Sequence, residues 1–289
     1  MNVFVLGGTG LIGGGVVREL VRHGHRVDAL SRSPASDRRL EALGARPVRG
    51  DMRKPGGWCD AIHEQSAVVQ VAATFDDDMG AVDGRVLDAL ERIARERQEP
   101  LRIIYTGGCW LFGATGEEVA DEARSFAPIP PFAWMVDHAR RLVESDAFDA
   151  AVLHPAMVYA RGEGAFGRFV AAARENRPIT IWGSPDTRWP LVHRDDLAVA
   201  YRLVLEAGAR GHYNVAAEDG VRVGRIAHEI ARRAGSTAGT RVLSATEALA
   251  EHGSEAIGPM LDQRMMAWKL RNAVGWSPRH ADFRRSELL

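Results

Sequence analysis

The chain has 289 residues, of which 46% are hydrophobic and 26% charged, and its formal net charge is -1. This length allows one large domain or a core domain with a smaller lobe, and the balanced charge argues against a nucleic-acid or membrane-surface partner. Two cysteines are too few for a disulfide-stapled fold, and no segment approaches the ~20 apolar residues of a membrane helix. A reduced, cytoplasmic setting is therefore expected.

Short apolar runs alternate with amphipathic stretches along the first half of the chain. The runs predict parallel strands covered on both faces, at residues 3–6, 26–30, 45–48, 68–71, 102–105 and 150–153. The stretches predict helices at residues 11–23, 38–43, 80–97 and 136–147. This alternation predicts an α/β fold with a doubly wound parallel sheet. The acidic run Asp76-Asp77-Asp78 is expected to cap the helix that follows it.

The first strand runs into Gly7-Gly8-Thr9-Gly10-Leu11-Ile12-Gly13, which opens the first helix. In such a loop the first glycine permits a tight turn, the second lets the backbone approach a pyrophosphate, and the third allows close helix packing. The helix N-terminus adds free N–H groups and a positive potential for phosphates. The motif predicts a Rossmann-type domain that binds a dinucleotide; a strand–turn–helix without a ligand is the alternative.

The second strand ends at Ser31 and Arg32, where NAD-binding chains place an acid that holds the ribose hydroxyls. Arg32 suits a 2′-phosphate, because a guanidinium donates a fork of hydrogen bonds. Asp28, the competing sign of NAD, lies too early in the strand. The sequence therefore favours NADP over NAD; a solvated loop charge is the alternative for Arg32.

After about residue 155 glycine and proline become frequent and the alternation of strands and helices weakens. We therefore expect an NADP-binding domain over residues 1–155. Residues 156–289 are expected to form mainly a substrate-binding lobe, with residues 190–215 returning to the core of the first domain.

Beyond the glycine loop, the chain resembles the extended short-chain dehydrogenase/reductases of the NAD-dependent epimerase/dehydratase type. The similar segments, in chain order, are residues 7–13, 50–52, 71–73, 105–113, 154–159, 191–198, 211–215 and 274–278. The resemblance implies a Rossmann domain, a small C-terminal lobe and a substrate pocket over the nicotinamide. It also implies a homodimer formed through the helices near residues 80–97 and 136–147.

The same resemblance implies a set of cofactor-binding residues at the glycine loop and at the ends of the strands. They are Gly7, Thr9, Gly10, Leu11, Ile12, Gly13, Ser31, Arg32, Asp51, Met52, Ala72, Ala73, Thr106, Gly107, Arg140, His154 and Pro155. No metal site is expected.

The chain departs from this family at the residues that transfer protons, a Ser or Thr with Tyr-x-x-x-Lys. Gly108 stands at the serine position. One register of the helix places Val136 and Arg140 at the tyrosine and lysine positions, and a shifted register places Trp134 and His138 there. Neither register supplies a phenol, and Arg140 stays protonated, so it can steady negative charge without shuttling a proton.

Four side chains are candidates for the missing catalytic group: Tyr159, His138, His154 and Arg140. A histidine suits proton transfer because its ordinary pKa lies near neutrality. Each candidate also has a structural interpretation, as a core residue or as part of a solvated helix face.

Large apolar side chains map to segments that line the substrate pocket in the resembling family, namely Trp110, Trp134, Met157, Phe166 and Trp189. They suit an apolar or aromatic small molecule, with core packing as the alternative.

Three functions remain open at this stage. The first is an NADP-dependent oxidoreductase that reduces a carbonyl or an activated alkene with a non-standard proton donor. The second is a redox-neutral isomerase, cyclase or dehydratase, and the third is a non-catalytic NADP sensor. An ordinary sugar epimerase is disfavoured, because that chemistry needs a phenolate base.

Overall fold

The computed structural model describes residues 1–289, with ten α-helices, thirteen strands and several short 3-10 turns. The strands are β1 (Asn2–Leu6), β2 (Arg26–Ser31), β3 (Arg46–Arg49), β4 (Ala67–Gln70), β5 (Leu101–Thr106), β6 (Phe148–Pro155), β7 (Met157–Ala160), β8 (Glu163–Gly164), β9 (Ile179–Trp182), β10 (Arg188–His193), β11 (Gly211–Val215), β12 (Glu218–Arg222) and β13 (Thr240–Leu243). The helices are α1 (Leu11–Arg22), α2 (Pro34–Ala42), α3 (Gly56–Cys59), α4 (Met79–Arg95), α5 (Trp134–Glu144), α6 (Gly167–Arg174), α7 (Arg194–Glu206), α8 (Val223–Ala234), α9 (Ala245–His252) and α10 (Trp268–Val274). None of them has the length and apolar composition needed to cross a membrane.

The central sheet has seven strands in the order β11-β6-β5-β4-β1-β2-β3. The pairs β1–β2, β1–β4, β2–β3, β4–β5 and β5–β6 are all parallel. Because β1 lies between β2 and β4, the strand order reverses there, as in a doubly wound sheet. The predicted α/β fold class is confirmed, and every predicted strand overlaps an observed one.

The chain forms two compact units, and neither is continuous in sequence. The first comprises Met1–Gly107, Trp134–Leu153 and Leu197–Tyr213, and the second comprises Gly108–Ala133, His154–Asp196 and Asn214–Leu289. The expected boundary at residue 155 lies close to the end of the Trp134–Leu153 segment. The return of residues 108–133 to the second unit was not predicted, because that stretch has no regular apolar period.

Helix α2 begins at Pro34, four residues before the predicted start at residue 38. Ser33 is its N-cap, and the Ser33 side chain accepts a hydrogen bond from the backbone N–H of Ser36 at 3.2 Å. A capping serine followed by proline is a strong start signal, because proline suits the first helical position. Apolar periodicity alone does not contain this signal, and it therefore places the start of the helix four residues too late.

The cap predicted for Asp76, Asp77 and Asp78 is wrong in its chemistry. Asp78 is the N-cap residue of α4, but its side chain accepts no hydrogen bond from that helix. Asp76 and Asp78 instead accept hydrogen bonds from the guanidinium of Arg53. These acids therefore tie the loop before α4 to the loop after β3.

Helices α4 and α5 pack side by side in the first unit, and ion pairs join their outer faces. Arg141 on α5 donates to Glu91 at 2.6 Å and to Asp88 at 2.7 Å, and Glu91 also accepts from Arg95 at 2.6 Å. Large obligate interfaces are more apolar than this. The homodimer expected through these helices stays a prediction.

The second unit contains a four-stranded sheet, β12-β10-β7-β8, and a two-stranded sheet, β13-β9. Its C-terminal segment is held by Asp196, which is 3% exposed. The Asp196 carboxylate accepts hydrogen bonds from the backbone N–H groups of Arg279 at 2.9 Å and His280 at 2.8 Å. The indole of Trp276 donates to the Asp196 carbonyl at 2.9 Å.

Glu218 introduces a pH dependence into the stability of this unit. Burial raises the pKa of its carboxyl group to about 7, although the group accepts a hydrogen bond from the Phe283 N–H. The folded protein therefore holds the proton more tightly than the unfolded chain, so stability is lost as the pH rises from about 4.5 to 7. We expect Glu218→Gln to reduce this loss, measured as urea midpoints at about pH 5 and pH 8. An unchanged difference between the two midpoints would contradict the assignment.

Candidate functional site

The glycine loop after β1 is built so that a side chain cannot enter it. Gly7 has a φ of +87°, and a Cβ there would lie 2.9 Å from the backbone of Ala72. A Cβ on Gly13 would lie 2.0 Å from the carbonyl oxygen of Gly7. Both contacts are closer than real Cβ atoms approach, so helix α1 and the loop can pack this tightly only with glycine at these positions.

The N-terminus of α1 is open towards solvent. Gly10 is the N-cap residue and is exposed, and no side chain caps the helix. Thr9, Leu11 and Ile12 are half-buried around it. The first N–H groups of α1 therefore remain available to an anion, and together with the helix dipole they fit the pyrophosphate of a dinucleotide.

The corner after β2 carries Ser31 and Arg32. The buried Ser31 hydroxyl donates to Asp37 at 2.5 Å and to the Ser33 carbonyl at 3.2 Å. Arg32 is exposed and makes no hydrogen bond or ion pair within the protein. Its guanidinium is free to meet an anionic ligand.

Asp28 has a structural role. The residue is 8% exposed, and its carboxylate accepts hydrogen bonds from Nε and one terminal nitrogen of Arg46 and from Gln65 at 2.9 Å. These partners occupy both carboxylate oxygens inside the sheet. The burial and the hydrogen bonds of Asp28 are therefore explained by partners within the protein, without a contact to a ribose.

Asp51 and Met52 follow β3, and the structure places them in different surroundings. Met52 is 8% exposed and belongs to the hydrophobic core, next to Trp58. The Asp51 carboxylate is half-exposed and accepts from the Arg53 N–H at 2.9 Å, and its carbonyl accepts from the Trp58 indole at 2.9 Å. Of the two predicted contacts, only Asp51 presents a polar group at the surface.

The ends of β4 and β5 are joined by hydrogen bonds through Gln70. The Gln70 amide oxygen accepts from the Ala72 N–H at 3.1 Å, and the Gln70 carbonyl accepts from the Thr106 hydroxyl at 2.7 Å. Ala72 is half-buried beside Gly7, Ala73 is exposed, and the N–H of Gly107 donates to the Leu153 carbonyl at 2.7 Å. These predicted cofactor residues thus lie together at the carboxyl edge of the sheet.

His138 on α5 is anchored by a buried carboxylate on α4. Its Nδ1 lies 2.7 Å from Oδ2 of Asp83, which is 3% exposed. Asp83 also accepts from the Gln70 amide at 2.7 Å and from the Tyr105 hydroxyl at 2.7 Å. Burial and the Asp83 carboxylate raise the pKa of Tyr105 well above its usual value, so this phenol stays protonated.

Arg140, which the sequence predicts for both cofactor binding and catalysis, lies on a different face of α5 from His138. Arg140 is exposed and donates to Asp137, one turn earlier, at 3.1 Å. The helix itself, WMVDHARRLVE, contains neither tyrosine nor lysine. The structure thus does not bring Arg140 together with His138.

Tyr159 and His154 lie in the second unit, and both are fully buried. The Tyr159 hydroxyl lies 3.2 Å from that of Ser286, its ring stacks on Phe166 at 4.5 Å, and burial raises its pKa. His154 and Pro155 end β6. The His154 ring packs against the rings of two phenylalanines, Phe112 at 5.2 Å and Phe126 at 5.5 Å. These surroundings suit core residues better than groups that exchange protons with a ligand.

The residues predicted to line the substrate pocket divide into two groups. Phe166 and Trp189 are core residues, since they are 0% and 2% exposed, and the Trp189 indole donates to the Pro259 carbonyl at 2.8 Å. Their burial leaves no ring surface for a substrate. Trp110, Trp134 and Met157 are each half-buried.

The two half-buried tryptophans, Trp110 and Trp134, each pack against a glycine. In the second unit, a Cβ on Gly258 would lie 2.4 Å from the Trp110 ring. In the first unit, a Cβ on Gly80 would lie 2.8 Å from the ring of Trp134, whose ring centroid lies 5.1 Å from that of His138. Each glycine thus fixes one face of an indole and leaves the ring partly exposed.

Gly108 and Cys109 supply no reactive side chain. A Cβ on Gly108 would meet nothing within 4 Å, so the space for a serine exists while the hydroxyl is absent. Burial raises the pKa of the Cys109 thiol to about 12, which excludes a ready thiolate. No group of three His, Cys, Asp or Glu side chains is arranged to hold a metal ion.

Sequence reasoning missed Asp83, the partner of His138, and the two other side chains that donate to Asp83, Gln70 and Tyr105. A signal was present, because Asp83 and Gln70 interrupt apolar patterns that predict burial. A buried charged residue needs a partner, and that requirement points to a polar cluster. It does not say which residue supplies the partner.

The family model described as the NAD dependent epimerase/dehydratase family matches residues 3–216. An uncharacterized protein of Schizosaccharomyces pombe is 27% identical over 97% of this chain and 96% of its own. A 2-alkyl-3-oxoalkanoate reductase of Stenotrophomonas maltophilia is 26% identical over 73% of this chain and 67% of its own.

Two solved structures share the fold. The UDP-glucose 4-epimerase of Thermus thermophilus in complex with NAD has a TM-score of 0.77 and 22% identity, covering 96% of this chain and 94% of its own. The human epimerase family protein SDR39U1 with NADPH has a TM-score of 0.77 and 21% identity, covering 98% of this chain and 96% of its own. At these identities the likeness shows the fold alone.

Proposed function

Because the chain belongs to the NAD dependent epimerase/dehydratase family, we propose that it is an NADP-dependent oxidoreductase that reduces a carbonyl or an activated alkene of an apolar small molecule. The observation that carries the proposal is the glycine loop, residues 7–13, with the open N-terminus of α1, which together we call the cradle. Gly7 and Gly13 stand where no Cβ fits, and at the end of β2 Ser31 occupies the position where a carboxylate would mark NAD, with Arg32 next to it.

The choice of NADP rests on the charges around that corner. Arg32 has no partner within the protein, and Asp28 is occupied by Arg46 and Gln65. Asp37, the carboxylate bonded to Ser31, is also paired with Arg49. The unpaired charge at this corner is therefore positive, as a 2′-phosphate requires.

We expect Arg32→Ala to weaken NADPH binding by about 10- to 100-fold, because a charge-assisted hydrogen bond contributes about 1.5–3 kcal/mol. NADH binding should stay unchanged, since NADH has no 2′-phosphate. The measurement is a fluorescence titration of both nucleotides. Arg39→Ala is the control, because Arg39 is an exposed arginine on helix α2, which follows Arg32, and this variant should change neither affinity. Equal weakening of both nucleotides, or of neither, would contradict a 2′-phosphate contact by Arg32.

The apolar substrate is proposed from the half-buried indole of Trp134, which lies in the same unit as the glycine loop, and from a curated relative. The name of that relative, a 2-alkyl-3-oxoalkanoate reductase, describes reduction of an oxo group on an alkyl chain. Aromatic surfaces bind such chains by burying apolar area. A bound, reduced nicotinamide supplies the hydride for this reaction. The chain must then stabilise the oxygen that becomes negative and deliver a proton to it.

The test is to incubate the protein with NADPH and a panel of 2-alkyl-3-oxo acids, ketones and enones. We expect loss of the reduced-nicotinamide absorbance together with formation of the hydroxy or saturated product. Conversion of a substrate without consumption of NADPH would favour the redox-neutral isomerase, cyclase or dehydratase. NADPH binding with no conversion across the panel would favour the sensor.

A further inference from the structure

The carboxylate of Asp83, in the first unit, accepts hydrogen bonds from three side chains. Asp83 is 3% exposed, and Gln70 and Tyr105, which donate to it, are each 1% exposed. The third donor is the His138 imidazole, whose side chain is 19% exposed. Burying a charge is costly unless it is paired or fully hydrogen-bonded. Only the third donor in this cluster reaches the surface.

The pairing fixes the imidazole in one orientation. A carboxylate oxygen accepts, so Nδ1 of His138 is the donor and carries a proton. The other nitrogen, Nε2, makes no hydrogen bond within the protein. One neighbour limits rotation of the ring, because the Trp134 ring packs against it edge-on, with the two ring centroids 5.1 Å apart. Nε2 is therefore the nitrogen left to exchange a proton with a ligand.

Gln70 connects this pair to the glycine loop. Its amide NH₂ donates to Asp83 at 2.7 Å, and its amide oxygen accepts from the N–H of Ala72 at 3.1 Å. Ala72 is the residue that a Cβ on Gly7 would strike. One side chain thus ties the Asp83 carboxylate to the backbone that forms the cradle.

The positions of Asp83 and His138 along their helices also place the two residues near the carboxyl edge of the sheet. Asp83 and His138 each lie in the second turn of their helix, α4 and α5. In a sheet with parallel crossovers, such helices begin at the carboxyl edge of the strands, where open α/β sheets bind their ligands.

We propose that His138 protonates the substrate oxygen, with Asp83 as its positioning residue; this inference rests on the proposed function. As a hydride adds to the carbonyl carbon, the π electron pair moves to oxygen. The Nε2–H bond of the imidazolium breaks, and its proton forms the O–H bond of the alcohol. The neutral imidazole keeps Nδ1–H on Asp83 and regains the Nε2 proton from water. Asp83 stabilises the positive charge of the imidazolium before the transfer.

The other sequence candidates do not compete for this role. Tyr159 and His154 are fully buried among aromatic rings of the second unit. Arg140 is exposed on another face of α5, where it donates to Asp137. His138 alone combines a titratable group, partial exposure and a buried carboxylate.

The experiment combines turnover with histidine ¹⁵N NMR on wild type, His138→Gln, Asp83→Asn and Asp88→Asn. The last variant is a matched control, because Asp88 is an exposed acid on the same helix. We expect His138→Gln to lower kcat by about 10²- to 10⁴-fold and to leave KM nearly unchanged. Asp83→Asn should lower kcat by at least about 10²-fold, because the imidazolium loses its counter-charge and the ring loses its fixed orientation. Asp88→Asn should leave kcat unchanged.

The NMR signals do not depend on turnover. We expect the His138 resonances, assigned by their loss in His138→Gln, to show the Nδ1–H form in neutral wild-type protein and a tautomer mixture in Asp83→Asn. Added NADPH should shift them. A kcat retained in His138→Gln, or His138 signals unmoved by NADPH, would overturn the role of His138 alone. Absence of turnover in wild type would overturn the proposed function and the proton transfer with it, while a fixed tautomer that is lost in Asp83→Asn would still show that Asp83 orients the His138 ring.

Discussion

Replacement of Gly13 by alanine is expected to raise the dissociation constant for NADPH by about 100-fold or more, equivalent to ~2.7 kcal/mol. The added Cβ would lie 2.0 Å from the Gly7 carbonyl oxygen. The Cβ is fixed to the backbone and the oxygen is part of it, so neither atom can rotate away as the end of a side chain can. Helix α1 must then move away from the loop after β1. That shift carries the N–H groups of the helix away from the pyrophosphate position. The measurement is a fluorescence titration with NADPH.

Gly14→Ala is the matched control for this variant. Gly14 is the next residue of the same helix, and a Cβ there would meet its nearest neighbour, the Gly8 carbonyl oxygen, at an ordinary 3.7 Å. We expect unchanged NADPH affinity and a gain in stability of about 0.5–1 kcal/mol from helix propensity. A Gly13→Ala protein that binds NADPH as tightly as Gly14→Ala would show that the tight loop is structural and holds no phosphate.

Arg102→Met is expected to lower the free energy of unfolding by about 3–5 kcal/mol. Arg102 is 6% exposed, and it ties the Asp149 carboxylate to the carbonyl oxygens of Val204 at 2.8 Å and Ala209 at 2.7 Å. Those carbonyls end helix α7 and lead into β11, so the guanidinium serves as a C-terminal cap inside the first unit. Methionine fills the volume but donates nothing, which leaves both carbonyls without this donor.

The control for this variant is Arg210→Met. Arg210 pairs with the same carboxylate, Asp149, but its side chain is 70% exposed. A solvent-exposed ion pair contributes only about 0–1 kcal/mol, so a small change is expected. Urea unfolding followed by circular dichroism measures both variants. Equal losses for Arg102→Met and Arg210→Met would contradict a capping role for Arg102.

The glycine loop and the corner at Ser31 could be predicted from sequence because their chemistry is local. A turn, a helix start and a strand end are each determined by a few consecutive residues, so strand periodicity and glycine spacing identify them. The same holds for the parallel sheet, since runs of Val, Ile and Leu without alternation predict strands buried on both faces.

The pairing of Asp83 with His138 could not be predicted in the same way. The two residues are separated by 55 positions, and whether their side chains meet depends on how α4 and α5 pack. Periodicity predicts that a helix forms but leaves its rotation uncertain by a residue or two.

Side-chain contacts between residues distant in sequence determine the roles of several acidic residues. Asp28 suggested NAD until Arg46, on the neighbouring strand, accounted for its carboxylate. Asp76 and Asp78 had the position of a helix cap, yet Arg53 binds both. In each case the arginine comes from another element of the fold, so the local sequence around the acid does not reveal the partner.

The most direct test of an NADP-dependent reductase is the fate of the hydride itself. The protein is incubated with a 2-alkyl-3-oxo acid and NADPH carrying deuterium at the transferred position of nicotinamide C4, and the product is examined by mass spectrometry. The proposed function predicts one deuterium per product molecule, located on the former carbonyl carbon, with one NADPH consumed for each product formed. Product without deuterium, or tight NADPH binding with no product from any ketone or enone of the panel, would contradict it.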